Sequence, residues 1–88
     1  MKIRDGFILR SVSGEHVVVA VGSASIVLNG IIKLNDSGAL LWNAIKEGSD
    51  EKELAGLLVR TYGIPEDKAG KDAGSFLETL RGIGCLEE

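Results

Sequence analysis

The chain changes character near residue 35, and this change limits the folds that its 88 residues can adopt. Before this point the sequence is rich in β-branched side chains, which favour strands because branching at Cβ restricts a side chain in a helix. After it, apolar side chains recur at helical spacing. A chain this short is expected to form one small domain. We therefore predict a single α+β domain over residues 1–88, with its strands before its helices.

The first two strands are predicted from apolar runs on either side of a turn. Residues 6–10 form one run, and residues 16–21, with four valines, form the other. The Ser13-Gly14 pair between them is typical of a turn. The two runs are thus expected to pair as an antiparallel hairpin.

The third strand is predicted at residues 30–34. It follows Asn29-Gly30, a pair of residues that favours a tight hairpin turn. The residues just before this pair, 25–28, are expected to be extended too. The predicted sheet is therefore three-stranded and antiparallel.

Two helices are predicted next from their start and stop signals. The first is expected to be capped by Asn35 or Asp36 and to end at Gly48. The second is expected to be capped by Ser49 and to end at Gly63. Acidic residues in the first turn of the second helix suit the positive end of the helix dipole.

A third helix is predicted to begin near Pro65, a residue that fits a first helical turn, and to break at Gly82 and Gly84. Gly70 and Gly74 destabilise a helix, so another element is expected to pack closely against them. The alternative is that the helix is soft because a ligand completes its packing. The buried stripe of this helix is predicted to comprise Ala69, Ala73, Phe76, Leu77 and Leu80. Three strands followed by three helices favour a winged-helix-like fold whose wing strands come first.

Charge and composition exclude several classes of protein. The net charge is −3 and basic residues never cluster, whereas nucleic-acid binders normally carry a basic surplus that neutralises phosphates. Apolar runs are far shorter than the roughly 20 residues of a membrane span. A single cysteine allows no internal disulfide, which fits a reducing compartment. We expect a cytoplasmic protein that binds neither nucleic acid nor membrane.

Residue types that carry chemistry are scarce. His16 is the one histidine, Cys85 the one cysteine, and the two lie far apart in sequence, so their spacing fits no metal site and supports no catalytic dyad. The twelve glycines match no phosphate-binding loop. The sequence therefore predicts no catalytic residue, metal or cofactor. Trp42 and Phe76 are expected to be core residues.

Three motifs give the chain a family resemblance. Residues 34–45 read LNDSGALLWNAI and are followed by Gly48, and residues 76–86 read FLETLRGIGCL. Between them lie Leu54-x-x-Leu57-Leu58 and Tyr62-Gly63. In this order and spacing the motifs resemble those of the PqqD family, and the resemblance covers nearly the whole chain.

The resemblance implies a function that composition alone does not. PqqD-like domains are winged-helix-like elements that bind the leader segment of a ribosomally made precursor peptide and present the peptide to a maturase, a radical SAM enzyme in PQQ synthesis. The leader lies as an added strand beside the third strand, in a groove against the third helix. The glycine-rich last helix and residues 22–28 depart from the family pattern, which favours a peptide product other than PQQ.

The predicted peptide-binding site combines backbone and side chains. A strand that is open at its edge offers unpaired N–H and C=O groups to an incoming strand. On a helical wheel, one continuous flank of the third helix lies beside its buried stripe. The predicted site residues are Gly30, Ile31, Ile32, Lys33 and Leu34 on the strand, and Lys68, Asp72, Ser75 and Thr79 on the helix.

Two other functions remain open at this point. The chain could be a winged-helix DNA-binding regulator, which the −3 charge disfavours, or a structural subunit of an enzyme complex without a peptide ligand. A homodimer also stays open, because an unpaired sheet edge can pair with its own copy.

Overall fold

A computed structural model describes residues 1–28 and 30–88. The Asn29-Gly30 turn falls partly on residue 29, outside the described residues. The strands are β1 (Lys2–Ile3), β2 (Phe7–Val12), β3 (Glu15–Ala20), β4 (Ile31–Leu34) and β5 (Leu86–Glu87). The helices are α1 (Ala24–Val27), α2 (Asp36–Lys46), α3 (Glu51–Tyr62) and α4 (Glu66–Ile83). An antiparallel sheet β2-β3-β4 is followed by three long helices, which confirms the predicted fold class.

The three-stranded sheet packs one face against the helices. Val18 on the central strand lies opposite Ile32 of β4, and Leu9 of β2 lies opposite Val18 on the other side. Directly opposed residues share a face, so these three side chains lie on the inner face of the sheet. Val18 is fully buried there, and Leu9 and Ile32 pack partly buried against the core.

Polar side chains and glycines set the ends of the long helices. The Asn35 side chain accepts a hydrogen bond from the Gly38 N–H at 2.8 Å, so Asn35 caps α2. The predicted cap of α3, Ser49, is wrong: Asp50 caps α3, because its carboxylate and that of Glu53 each accept the other's backbone N–H. Gly63 ends α3 in the left-handed conformation at φ +67°, as predicted.

Two short elements differ from the prediction. Residues 24–27 form the single helical turn α1 rather than extended chain. Ala24 is buried there, and a Cβ on Gly6 would meet the Ala24 methyl at 2.7 Å, so this turn packs closely on the start of β2. At the termini, β1 pairs with β5, and the Arg4 N–H donates to the Cys85 carbonyl at 2.8 Å.

The core is built from α2, α3, α4 and the inner sheet face. Its largest fully buried side chains are Trp42, Ile45, Leu54, Leu77, Leu80, Val18 and Cys85. The core position predicted for Trp42 is confirmed at 1% exposure. Phe76, predicted to be central in the core, is only partly buried and faces a surface groove.

Two predictions about the glycines of α4, a break at Gly82 and close packing against Gly70 and Gly74, differ from the structure. The helix continues through Gly82 to Ile83 and ends at Gly84, which has φ +92°. A Cβ on Gly70 would meet open space, and one on Gly74 would only touch the Glu51 carboxylate at 3.5 Å. The expected close packing against these two glycines is therefore wrong. Each of the described helices is too short or too polar to span a membrane.

Candidate functional site

A groove of about 730 Å³ opens between α2, α3 and α4. The start of α2 forms one wall, α4 forms the other, and the end of α3 closes the floor. Its lining residues are Asn35, Asp36, Ser37, Gly38 and Leu41 from the α2 side, Leu58, Tyr62 and Ile64 from the α3 side, and Lys68, Asp72, Ser75, Phe76 and Thr79 from α4.

The floor of the groove is apolar. Leu41 and Leu58 are each 3% exposed and belong to the core, so the groove reaches down to the core itself. Phe76 and Ile64 are partly buried around them, and Tyr62 is 47% exposed at the end of α3. An apolar side chain placed here by a ligand would leave water and gain about 25 cal/mol for each Å² it buries.

The α4 wall carries small or mutually paired polar side chains. Lys68, Asp72, Ser75 and Thr79 follow one another at steps of four, three and four residues, which places them on one flank of the helix. The Lys68 ammonium lies 3.2 Å from the Asp72 carboxylate, and the Thr79 hydroxyl donates to the Ser75 carbonyl at 3.0 Å. This wall leaves room for an extended chain and adds little net charge.

The α2 wall depends on a close approach between strand and helix. A Cβ on Gly38 would lie 3.3 Å from the Leu34 Cβ and 3.1 Å from the Asn35 side-chain oxygen. Both distances are tighter than ordinary packing, so glycine lets the first turn of α2 sit directly against the end of β4. Asn35, the residue directly after β4, lines the groove, so the strand leads to the groove wall.

His16 joins the sheet to this wall. One ring nitrogen, Nδ1, lies 2.6 Å from the Ser11 hydroxyl, and the other, Nε2, lies 2.7 Å from the Asp36 carboxylate. Asp36 is itself a groove residue. Both nitrogens of the only histidine thus have structural partners, in keeping with a histidine whose hydrogen bonds are satisfied.

The outer edge of β4 presents two residues' backbone groups to solvent. The Val21 N–H donates to the Gly6 carbonyl at 2.8 Å, so odd-numbered residues of β3 bond toward β2 and even-numbered ones toward β4. Their β4 partners, Ile32 and Leu34, consequently bond toward β3. The N–H and C=O groups of Ile31 and Lys33 point outward, where β4 ends the sheet of the described residues.

The predicted site residues fall into two sets. The four on α4 all line the groove. The strand set, residues 30–34, lies outside the lining and forms the sheet edge that runs into it. A role for either set in binding stays a prediction.

Sequence reasoning missed the α2 wall and the apolar floor. Asn35 was recognised only as a helix cap, and it both caps α2 and lines the groove. Tyr62 gave a signal: it extends the apolar stripe of α3 to the last residue of the helix and remains half exposed. An aromatic side chain in that position is a recurrent feature of binding surfaces.

The one cysteine, Cys85, is buried and lies outside the groove lining. Burial raises the pKa of the Cys85 thiol, against an opposing effect of the Arg4 charge, so the thiol stays protonated and unreactive. Within residues 1–28 and 30–88, histidine, cysteine and carboxylate side chains form no group that could hold a metal ion.

Two solved structures share this fold. TbiB1, in complex with the TbiA(beta) leader peptide, has a TM-score of 0.82 and 22% sequence identity over 99% of this chain and 95% of that chain. Lasso peptide synthetase B1, complexed with the leader peptide, has a TM-score of 0.80 and 18% identity over 99% and 96%. No match was found among curated protein sequences.

A family comparison covers most of the sequence. Residues 15–86 match the family described as Coenzyme PQQ synthesis protein D (PqqD). The match spans β3, β4 and all three long helices, and so includes the sheet edge and every groove residue. The chain therefore belongs to the PqqD family.

Proposed function

We propose that this chain binds the leader segment of a ribosomally made precursor peptide and presents the peptide to a separate modifying enzyme. The leader adds to β4 as a fourth strand and continues into the groove between α2 and α4. The observation that carries the proposal is the direct continuity between an open strand edge and a groove with an apolar floor.

The edge of β4 supplies affinity that does not depend on sequence. The outward N–H and C=O groups of Ile31 and Lys33 pair with an incoming backbone, as in other complexes formed by strand addition. The contribution is modest because these groups exchange bonds to water for bonds to peptide, at about 0.5–1.5 kcal/mol each. Discrimination among peptides must then come from side chains in the groove.

The groove supplies that discrimination. Leu41, Leu58 and Phe76 offer an apolar floor for one or two ligand side chains, while Ser75 and Thr79 leave space along the wall. The leader chains in the two structures with the same fold are ligands of this class. A groove that is already open costs little reorganisation when a peptide enters it.

The partner enzyme is a radical SAM enzyme or another peptide-modifying enzyme. We propose that the chain contributes binding and the enzyme contributes the chemistry, because His16 is held by two structural partners and Cys85 is buried. A single buried thiol is compatible with work in the reducing cytoplasm.

Hydrogen exchange at the sheet edge tests strand addition without changing the protein. The leader segment of the cognate precursor peptide is added to the labelled chain and amide exchange is followed by NMR. The Ile31 and Lys33 amides are expected to become protected, because they gain partners in the fourth strand. The Ile32 amide, which already faces β3, serves as the internal control.

A variant pair extends this test. Lys33→Pro removes the outward N–H and should weaken leader binding about tenfold, whereas Lys33→Ala keeps the N–H and should bind nearly as wild type. Circular dichroism checks that the proline variant stays folded. Unchanged exchange at Ile31 and Lys33 in a chain that binds the peptide would refute strand addition.

A further inference from the structure

The outer face of the sheet is unusually apolar. Val17 and Val19 of the central strand point away from the helices, and the row through Val19 continues to Ile8 on one side and Ile31 on the other. Ile8 is 36% exposed and Ile31 is 57% exposed. None of these four side chains packs against the core.

An antiparallel sheet with one solvated face normally alternates apolar and polar residues along each strand. The central strand breaks this rule, because Val17, Val18 and Val19 follow one another directly. A continuous apolar run is typical of a strand covered on both faces. The helices cover only the inner face, so the sequence of β3 is suited to a cover that the described residues do not provide.

The charged side chains on this face indicate which charges a partner surface should carry. Arg10 and Lys33 flank Val17 in register, and neither forms an ion pair within the described part of the chain. Residues 1–46 contain five basic and three acidic residues, whereas residues 47–88 contain five basic and ten acidic. The sheet half is thus basic in an acidic chain. Its outer face carries an apolar row with two cations, Arg10 and Lys33, and one carboxylate, Glu15, at the hairpin end.

We propose that this outer face, defined by Ile8, Arg10, Val17, Val19, Ile31 and Lys33, docks the peptide-modifying enzyme through an apolar patch of that enzyme bordered by carboxylates. The inference rests on the proposed function. A second copy of the chain is a poorer occupant, because each face carries two cations and one carboxylate, so two such faces would oppose surfaces of like net charge.

The geometry allows both ligands to be bound at once. The leader occupies the edge of β4 and the groove on the helix side, and the enzyme occupies the opposite face of the sheet. A strand added to β4 turns alternate side chains toward that opposite face, so the docked enzyme also meets the leader. Three strands of about five residues cover only roughly 240 Å², which fits a transient contact.

The test separates docking from leader binding. Arg10→Glu reverses a charge on this face and Ile8→Thr removes apolar surface while keeping the β-branch, both far from the groove. Lys71→Glu, an exposed charge reversal on α4 outside the groove lining, is the matched control. Each purified variant is assayed for binding of a fluorescent leader peptide, and for its stimulation of the enzyme that modifies the same precursor peptide.

We expect Arg10→Glu and Ile8→Thr to bind the leader within about twofold of wild type and to require about tenfold more protein for half-maximal stimulation. The Arg10→Glu defect should shrink as salt masks the wild-type charge contact.

Stimulation equal to that of Lys71→Glu would overturn the docking face while leaving leader binding intact. A wild-type chain that fails to bind the leader would overturn the proposed function itself. A concentration-dependent dimer in sedimentation, dispersed by Ile8→Thr, would assign the face to a second copy and overturn the proposal.

Discussion

The two flanks of helix α4 differ in nearly every physical respect. Ala69, Ala73, Leu77 and Leu80 are all fully buried in the core. One step around the helix, Lys68, Asp72, Ser75 and Thr79 line an open groove. One flank of this 18-residue helix stabilises the fold, and we propose that the other binds the leader. Substitutions on the two flanks should therefore change stability and leader affinity separately.

The largest expected effect lies on the buried flank. Leu77→Ala leaves a cavity at a fully buried position and should lower the free energy of unfolding by about 2–5 kcal/mol. Thermal or urea unfolding followed by circular dichroism measures this loss. The fraction that remains folded at low temperature should bind the leader with wild-type affinity, because Leu77 lies outside the groove lining. A Leu77→Ala protein that melts like wild type would show that this flank of α4 does not stabilise the fold as its burial indicates.

Phe76 lies between the two flanks and should show both effects. It is partly buried and lines the groove, so Phe76→Ala should cost about half of the 3–5 kcal/mol typical of a fully buried phenylalanine. Leader affinity should fall at the same time, because the groove loses part of its apolar floor. Equilibrium unfolding and peptide titration on one sample measure both changes. A loss of stability with unchanged affinity would place Phe76 on the buried side alone.

Alkaline pH should lower the free energy of unfolding through the buried thiol of Cys85. Cys85 follows the end of α4, where its N–H donates to the Leu80 carbonyl, and burial raises the pKa of its thiol above the usual value for cysteine. The unfolded chain therefore loses this proton first, so stability is unaffected below about pH 9 and falls as pH rises toward the folded-state pKa. Cys85→Ala should lower stability at neutral pH yet flatten this alkaline decline. An equally steep loss of stability in the wild-type and Cys85→Ala proteins would show that Cys85 does not cause the alkaline decline.

The smallest effect is expected for the exposed ion pair of the groove flank. Lys68 and Asp72 are 59% and 45% exposed in their side chains, so Lys68→Ala should change stability by less than about 0.5 kcal/mol. Its effect on leader affinity should be larger than that, because the lysine stem borders the groove. The same pair of titrations measures both. If Lys68→Ala lowers the free energy of unfolding by more than it weakens leader binding, the pair mainly stabilises the helix.

Local signals were sufficient for most of the fold. The valine run, the Ser13-Gly14 turn and the Asn35 cap each carry their own physical cause, and each predicted its element. Two-residue strands carry no such signal, so the pairing of β1 with β5 was missed. Residues 24–27 contain β-branched side chains, which favour extended chain, yet they form a helical turn. Ala24 packs there against Gly6, and the sequence gives no local signal of this tertiary contact.

The site was half predictable for a related reason. Helical spacing placed Lys68, Asp72, Ser75 and Thr79 on one flank, which the structure reproduces as one wall. The same wheel placed Phe76 among the buried residues, because it cannot show that the neighbouring elements leave a gap there. The facing wall stayed hidden, since capping already accounted for Asn35 and the close contact of Gly38 with Leu34 becomes visible only in three dimensions.

The central claim is that the groove beside α4 holds the leader peptide, and one measurement tests it most directly. Ser75→Arg and Thr79→Arg add bulk and charge inside the groove, while Gly82→Arg adds the same side chain to the same helix where a Cβ meets open space. Anisotropy titrations with the fluorescent cognate leader should give dissociation constants about tenfold or more above wild type for the first two variants. Gly82→Arg should bind as wild type and unfold at the wild-type temperature or above it, because it replaces a glycine within a helix. Ser75→Arg and Thr79→Arg should unfold at nearly the wild-type temperature. Wild-type affinity in Ser75→Arg and Thr79→Arg would show that the leader binds elsewhere.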